Sequence, residues 1–228
     1  MLTEVQPGIH TFDFFCPIGP GMAFPARSTL IQQQDDGKVF VISPGPFDEE
    51  TFKEIEALGE RIILVSPNMM HHMFIQQSFE RWPKVEIYGN PNLWKLKKQP
   101  WLKPYIKDIK GIHEVLNINI KAMYVRGNAF LSETVFYDSR RKTLVVTDLV
   151  FNMDNTVGFL AGLTLRMAGV YNKLGQSRVV KFSTKNKMSY KTSIEKILEF
   201  DFERIIPAHG AIIEDPEAFR AALKKTIK

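Results

Sequence analysis

The chain has 228 residues, of which 44% are hydrophobic and 24% are charged, and its formal net charge at pH 7 is +5. This composition predicts a folded protein with a sizeable core and excludes an extensively disordered chain. The single cysteine, Cys16, excludes a disulfide framework within the chain and a metal site of clustered thiolates. One cysteine is typical of a reducing compartment, and we interpret its thiol as a small packing group rather than a nucleophile.

The N-terminal residues show no basic stretch followed by an apolar one, so a secretory signal is not expected. The most apolar stretch, residues 156–171, is shorter than the roughly 20 residues that span a bilayer, and Arg166 interrupts it. We therefore predict a cytoplasmic protein without a transmembrane segment. The apolar stretch is expected to form a buried or lid-like helix, with contact to a membrane surface as the alternative.

The first part of the chain predicts strands at residues 9–15, 26–34 and 38–43, because apolar residues alternate or run continuously there. The sequence Asp-Asp-Gly at residues 35–37 lies between the last two strands and is typical of a hairpin turn. These segments predict a β-rich start to the fold.

Strands and helices then alternate along the chain. A helix is predicted with Asp48 as its N-cap, followed by a strand at residues 61–66 that is apolar enough to be covered on both faces. A helix over residues 71–82 and a strand over residues 84–90 come next. This order predicts parallel strands joined by right-handed crossovers.

The second half of the chain repeats the pattern. Strands are predicted at residues 113–125, and a hairpin is predicted at residues 132–150 with its turn near Asp138. Beyond the apolar stretch, the predicted elements are a helix at 184–200, a strand-like segment at 202–210 and a terminal helix at 215–225. No repeat or linker divides the chain, so we predict one domain over residues 1–228, with two sheets covered by helices.

A basic stretch at residues 93–110 carries Trp94, Trp101 and Tyr105 among its lysines. Lysines interleaved with aromatic side chains can bind single-stranded nucleic acid. Such a run is more often a solvated face whose aromatic side chains pack inward. Because no recognition motif accompanies the charge, we do not expect a nucleic-acid partner.

Ligand-type side chains follow three predicted strands. His71 and His72 come after the strand at 61–66, Asp148 closes a hairpin strand, and His209 follows the strand-like segment near the C-terminus. Strand ends are where α/β folds gather ligands, and imidazole with carboxylate suits Zn²⁺ or Fe²⁺. The alternative is that the two adjacent histidines cap or pack a helix, that Asp148 is an N-cap and that His209 belongs to a turn.

These motifs resemble the metallo-β-lactamase superfamily over nearly the whole chain. The superfamily's first motif, His-x-His-x-Asp-His, follows a strand and falls on residues 67–72. Its later Gly-Asp at a strand end is similar to Thr147-Asp148, and its closing Pro-x-His-Gly matches residues 207–210. The superfamily's middle histidine falls near Asn128, where this chain has none.

The resemblance implies that ligands for one metal of the usual pair are missing. Pro67 and Met69 replace the first two histidines of the first motif, and Asn128 stands near the position of the middle one. The strand end at residues 42–45 lacks the aspartate that often follows it in the family. Larger residues at 73–75 also replace the small ones that are frequent there.

The positions of the other metal's ligands still carry side chains that can bind a metal, although His71 stands where the family has aspartate. The resemblance implies that His71, His72, Asp148 and His209 hold a single divalent metal, with zinc preferred over iron. Asp148, freed from bridging two metals, is expected to be a ligand or a general base and is the candidate catalytic residue. A tetrahedral site with four protein ligands would be closed and structural, because catalysis needs an open position.

The resemblance further implies an α/β fold, a four-layer αβ/βα sandwich of two mixed sheets, and a small-molecule substrate. The implied activity is metal-dependent hydrolysis of an ester, lactone, thioester or phosphoester. The alternative is a catalytically inactive protein of the same fold, a pseudoenzyme that binds a small apolar ligand or a partner protein. The sequence indicates no oligomeric state.

A helical, lid-like insertion around residues 151–200 is also implied, since segments after the strand-end aspartate often overhang the active site in this family. Its apolar residues favour an apolar ligand. Replacing Leu160 and Leu163 with serine is expected to weaken ligand binding or turnover while folding stays intact.

Overall fold

The computed structural model describes residues 1–153 and 159–227, and the chain divides into two compact units. The first unit comprises Met1–Asp13 and Arg27–Asn117, and the second comprises Phe14–Ala26 and Ile118–Lys228. Whether the chain acts as one domain with a lid-like insertion stays a prediction.

The strands of the described residues are β1 (Thr3–Gln6), β2 (Ile9–Gly19), β3 (Met22–Gln33), β4 (Lys38–Ile42), β5 (Arg61–Val65), β6 (Glu86–Gly89), β7 (Ile106–Asp108), β8 (Ile120–Tyr124), β9 (Thr134–Asp138), β10 (Thr143–Val146), β11 (Phe151–Met153), β12 (Lys173–Gly175) and β13 (Arg204–Pro207). The α-helices are α1 (Glu49–Leu58), α2 (Ile75–Arg81), α3 (Phe159–Ala168), α4 (Arg178–Ser183), α5 (Lys187–Leu198) and α6 (Pro216–Lys224). Short 3-10 helices lie at Leu93–Lys95, Pro100–Leu102 and Ile109–Glu114.

A mixed sheet in the order β1-β2-β3-β4-β5-β6-β7 forms the framework of the first unit. The hairpin predicted around residues 35–37 is confirmed, because β3 pairs antiparallel with β4 and Gly37 takes a positive φ of 64°. Strands β4 to β7 pair in parallel, as the alternation of strands and helices predicts.

The helices of the first unit follow their local signals. The Asp48 side chain accepts a hydrogen bond of 2.8 Å from the Thr51 N–H, so the predicted N-cap of α1 is confirmed. Helix α2 begins at Ile75, later than predicted, because the Asn68 side chain holds the preceding residues in a turn.

Two of the three aromatic side chains of the basic stretch pack inward, as predicted, whereas Tyr105 is 47% exposed. Trp94 and Trp101 contact the buried core of the first unit, while Lys103 lies over the Trp94 ring at 4.9 Å. The lysines stay at the surface and the two tryptophan side chains contribute to the core.

A second mixed sheet, in the order β13-β10-β9-β8, forms the framework of the second unit. The hairpin predicted near Asp138 is confirmed by the antiparallel pairing of β9 with β10. Strand β13 pairs in parallel with β10, and α5 and α6 supply buried side chains to the same core.

The strand predicted over residues 113–125 is wrong in its first part. Residues Ile109–Glu114 form a 3-10 helix, which the Asp108 side chain caps by accepting a hydrogen bond from the Lys110 N–H, and β8 begins only at Ile120. A side-chain cap therefore overrides the apolar alternation in this segment.

The apolar stretch contains α3, from Phe159 to Ala168. Residues 156–158 of the predicted helix lie outside the described residues. None of the helices in the described parts of the chain has the length and hydropathy of a membrane span.

Candidate functional site

Parallel pairing places two predicted site residues at the same edge of the second sheet. Val146, the last residue of β10, lies opposite Pro207, the last residue of β13. Each strand is followed by one small residue and then by a ligand-type side chain, Asp148 in one case and His209 in the other. The carboxyl ends of parallel strands meet at one edge, so the structure brings these two side chains together.

The His209 ring is held on both of its nitrogen sides. Nδ1 donates a hydrogen bond of 2.8 Å to the Pro25 carbonyl oxygen, and Nε2 lies 3.3 Å from Asp148 Oδ1. The ring stacks on Phe151 with 5.0 Å between centroids and an angle of 5° between planes. Asp148 and His209 are each only 8% exposed, so the pair is largely shielded from water.

The facing atoms of Asp148 and His209 can share either a proton or a metal ion. Because Nδ1 carries the proton donated to Pro25, Nε2 of a neutral ring presents a lone pair. That lone pair lies close to a carboxylate oxygen, and two acceptors at this distance are stable only with a proton or a metal ion between them. A histidine whose other nitrogen donates to a carbonyl is also the usual arrangement of a metal ligand.

A buried carboxylate, Glu133, supports the Asp148 strand end. Its oxygens accept hydrogen bonds from the backbone N–H groups of Thr147 at 2.7 Å and Asp148 at 3.2 Å. Glu133 is 1% exposed. The sequence analysis missed this residue, although an acidic residue directly before a buried strand is a signal that could have identified it.

Gly210 lets the chain turn sharply after His209. Its φ is +89°, and a Cβ atom built on it would lie 1.9 Å from the Asn152 carbonyl oxygen. The Asn152 N–H donates to the His209 carbonyl oxygen at 3.1 Å, so the close approach also holds the histidine backbone. Only glycine fits this position.

The first unit presents the two adjacent histidines after β5. Asn68 Oδ1 accepts hydrogen bonds from the N–H groups of Met70 and His71, at 2.7 and 2.9 Å. The Ser66 hydroxyl donates to the carbonyl oxygens of Asn68 and His71. These bonds close a compact turn that fixes the His71 backbone at the carboxyl end of its strand.

Ser43 lies against the His71 ring. The Ser43 hydroxyl and His71 Nδ1 are 2.5 Å apart, and Ser43 is a buried residue with a positive φ of 57° directly after β4. If His71 Nδ1 donates this bond, Nε2 is left as an acceptor. The sequence analysis identified this strand end only by its missing aspartate, so the hydroxyl contact is a new finding.

His72 is part of a different hydrogen-bond chain. Trp101 Nε1 donates to Gln99 Oε1 at 2.9 Å, which orients the Gln99 amide so that its Nε2 donates to His72 Nδ1, also at 2.9 Å. A neutral His72 then carries its proton on Nε2 and is a donor there. Burial lowers the pKa of His72 and favours the neutral ring. The prediction that His72 is a metal ligand stays a prediction.

Asn128, near the position of the family's middle histidine, is used structurally. Its Nδ2 lies 2.9 to 3.1 Å from the Val180 carbonyl oxygen and the hydroxyls of Ser183 and Thr184, and its two hydrogens are shared among these three acceptors. Its Oδ1 accepts from the Leu131 N–H at 2.9 Å. An amide with both ends engaged in this way anchors α4 and is not available to a metal.

Cys16 is a partly buried thiol of the second unit. Burial raises its pKa, and the nearby Asp148 carboxylate raises it further. A thiol with a raised pKa stays protonated near neutral pH, which agrees with the interpretation that Cys16 is not a nucleophile.

No protein-family model and no curated protein matches this sequence. Solved structures do match. A DIM-1 metallo-β-lactamase exposed to ceftazidime superposes with a TM-score of 0.64 and 16% identity, covering 100% of this chain and 94% of that one. A metallo-β-lactamase from Pontibacter korlensis gives a TM-score of 0.62 and 12% identity, covering 100% and 96%. One from Erythrobacter litoralis, with β-mercaptoethanol in the active site, gives 0.62 and 11%, covering 99% and 93%.

The chain therefore has the metallo-β-lactamase fold. At these identities the likeness shows the fold alone, and the activity of the solved enzymes is not transferred with it. The predicted fold class, an α/β sandwich with two mixed sheets, is confirmed. The motifs that carried the resemblance, above all residues 207–210, pointed to the correct architecture.

Proposed function

We propose that this protein is a divergent metallo-β-lactamase-like hydrolase in which His71, Asp148 and His209 hold one divalent metal ion. The fold alignment over the whole chain supports the assignment of the class, because the solved structures that it matches are metallo-β-lactamases. Two imidazoles and a carboxylate are a ligand set that suits zinc, and iron is the second choice.

The observation that carries the proposal is the Asp148–His209 pair. Its Nε2 and Oδ1 atoms lie 3.3 Å apart in a largely buried setting, and Nδ1 donates to the Pro25 carbonyl oxygen. A divalent ion held here would gain two ligands whose orientation is already restrained.

Each surrounding group has a task in holding this donor set. Phe151 stacks on the His209 ring and restricts its rotation, while Glu133 fixes the backbone beneath Asp148. Ser43 orients the His71 ring so that Nε2 is available as a ligand. His72 follows His71 in the chain and is proposed as a hydrogen-bond donor through Nε2.

One metal fits the surroundings better than two. Asn128 is engaged with α4, and Met69 packs on the core of the first unit. Pro67 offers no ligand atom. A divalent ion held by His71, Asp148 and His209 would supply Lewis-acid chemistry, which activates water and polarises a carbonyl or phosphoryl oxygen. The proposed substrates are small esters, lactones, thioesters or phosphoesters, and the proposed location is cytoplasmic.

Metal analysis of protein purified without chelator tests the proposal. We expect about one equivalent of zinc or iron in the wild type and less than about a tenth of that in His209→Ala and Asp148→Asn. His113→Ala is the matched control, because this exposed histidine makes its Nδ1 contact with the Lys110 carbonyl oxygen. A His72→Ala variant that also loses the metal would make His72 a ligand.

The competing interpretation is a catalytically inactive protein that binds a small apolar ligand or a partner protein. It predicts either no bound metal, even in protein incubated with zinc, or a structural metal without turnover. Absence of metal from every preparation would overturn the proposal. Where metal is bound, p-nitrophenyl acetate, a γ-lactone, an acyl thioester and bis-p-nitrophenyl phosphate separate an active site from a structural one. Activity that is absent in His209→Ala supports the hydrolase.

A further inference from the structure

Helices α3 and α4 of the second unit expose an apolar surface, which we call the α3–α4 face. Its members are large hydrophobic side chains that are all more than two-fifths exposed: Phe159, Leu160, Leu163, Met167, Val179 and Phe182. Phe159 and Phe182 are about four-fifths exposed, at 79% and 80%. Exposed hydrophobic residues are normal when scattered, whereas a cluster marks an interaction site.

Helix α3 is apolar on two opposite sides. Ala161, Gly162 and Leu165 are buried against the second unit. At about 100° per residue, Phe159, Leu163 and Met167 fall on the opposite side. A surface helix of a water-soluble protein normally carries polar residues there, so this composition indicates that the outer side is covered by something apolar.

The two helices are adjacent, which makes the α3–α4 face one surface. Arg178, at the start of α4, donates a hydrogen bond of 3.2 Å from Nη1 to the Met167 carbonyl oxygen near the end of α3. The Val179 and Phe182 side chains are three residues apart and lie on the same side of α4.

The segment of the chain that carries this face is rich in positive charge. Residues 155–194 contain seven lysines and arginines and no aspartate or glutamate. The whole chain has 30 basic and 25 acidic residues, so this segment accounts for all of its net positive charge. These cations are exposed: Arg166, Lys173, Arg178, Lys181, Lys185, Lys187 and Lys191.

We infer that the α3–α4 face binds the surface of an anionic lipid bilayer. Aromatic and aliphatic side chains enter the boundary between headgroups and acyl chains, and surrounding lysines and arginines are attracted to anionic headgroups. The absence of any acidic residue over this segment matches a uniformly negative surface. A hydrophobic partner protein would not require charge of a single sign.

Binding to vesicles tests the inference. The full-length protein is sedimented with vesicles of phosphatidylcholine alone and with vesicles that contain about 30% phosphatidylserine. We expect at least about tenfold stronger binding to the anionic vesicles, and this preference should weaken as salt is raised.

Variants assign the binding to the face. Phe159→Ser combined with Phe182→Ser should weaken binding about tenfold, and Lys181→Glu combined with Lys185→Glu should remove the preference for anionic lipid. Ile118→Ser is the matched control, since Ile118 is 92% exposed but lies outside the face. Circular dichroism and thermal melting of each variant show whether it is folded.

The inference is overturned if the folded wild type does not bind anionic vesicles, or binds neutral vesicles equally well. It is also overturned if sedimentation velocity shows a dimer that Phe182→Ser dissociates, because a second copy would then cover the face. His209→Ala should bind vesicles like the wild type, so failure of the proposed metal site leaves this inference standing.

Discussion

The histidines that follow strands in the two units contact different kinds of partner. In the first unit, His71 and His72 contact neutral groups, the Ser43 hydroxyl and the Gln99 amide. In the second unit, His209 faces the carboxylate of Asp148 and is held by a backbone carbonyl. A buried carboxylate attracts a cation, whereas neutral partners mainly orient a histidine ring. Under the proposed function, the second unit contributes the charged carboxylate, whereas the neutral contacts of the first unit orient its histidine rings.

The largest expected effect is on the free energy of unfolding, and it is expected at Gly210, directly after His209 in the second unit. Gly210→Ala should lower the free energy of unfolding by about 3 kcal/mol or more, because its Cβ collides with the Asn152 carbonyl oxygen at a positive φ. Urea denaturation measures this change. Gly175→Ala, in the same unit with open space around the new methyl group, should change stability by less than about 0.5 kcal/mol. Equal stability of the two variants would contradict the strict geometry at His209.

Asn128 provides the next test of the same unit. Asn128→Ala removes the hydrogen bonds that anchor α4 and should cost about 2 kcal/mol, measured by urea denaturation, while the exposed Asn92→Ala should cost almost nothing. Asn128→His should also be destabilised and should not raise the metal content above that of the wild type. A folded Asn128→His variant with two equivalents of metal would show that only the residue type is missing.

In the first unit the expected effect is on metal affinity. Ser43→Ala should weaken zinc binding about tenfold, because the hydroxyl that orients His71 is lost. Competition with a chromogenic chelator measures this change. Ser43→Gly should weaken binding to the same extent while relieving the positive φ, so it separates the hydroxyl from the backbone. Unchanged affinity in both variants would remove Ser43 from the site.

The smallest effect on stability is expected at Glu86, which lies at the amino end of β6 in the first unit. Burial alone would raise its pKa, but hydrogen bonds and charge from Arg61 and Lys107 lower it to about 2. A lowered carboxyl pKa gives stability that is complete above about pH 4.5 and is lost as the pH falls towards 2. Because Arg61 and Lys107 are about half exposed, the contribution is discounted to about 1 kcal/mol.

Glu86→Gln should therefore lower stability near pH 7 and flatten its dependence on pH below about 4.5, as seen in urea denaturation over a pH series. Metal content should be unchanged. A loss of metal in this variant would mean that the charged strand end of the second unit does not control affinity by itself.

Much of the fold followed from local sequence patterns. Apolar runs ending before His71, Asp148 and His209 identified the strand ends, and Asp48 identified a helix start. The 3-10 helix at Ile109–Glu114 was missed, because a short side-chain cap leaves almost no periodic signal.

The partners of the site residues could not be predicted in the same way. Pro25 contributes a backbone carbonyl, which has no sequence signature, and it is 184 positions away from His209. Ser43 is 28 positions from His71, and serine is a common residue whose role depends on its fixed backbone. Such contacts are set by strand register and packing, so they become visible only in three dimensions.

The second unit is built from two separate stretches of the chain, which has a practical consequence for expressing it as a fragment. Residues Phe14–Ala26 belong to that unit although they come early in the chain. Phe24 packs against the buried cluster of Met153, Leu165 and Val170, and the Pro25 carbonyl oxygen accepts the hydrogen bond from His209. A fragment that starts at residue 118 would therefore lack the Pro25 carbonyl group that holds His209. Complementation by a separate peptide spanning the early hairpin would be needed to restore it.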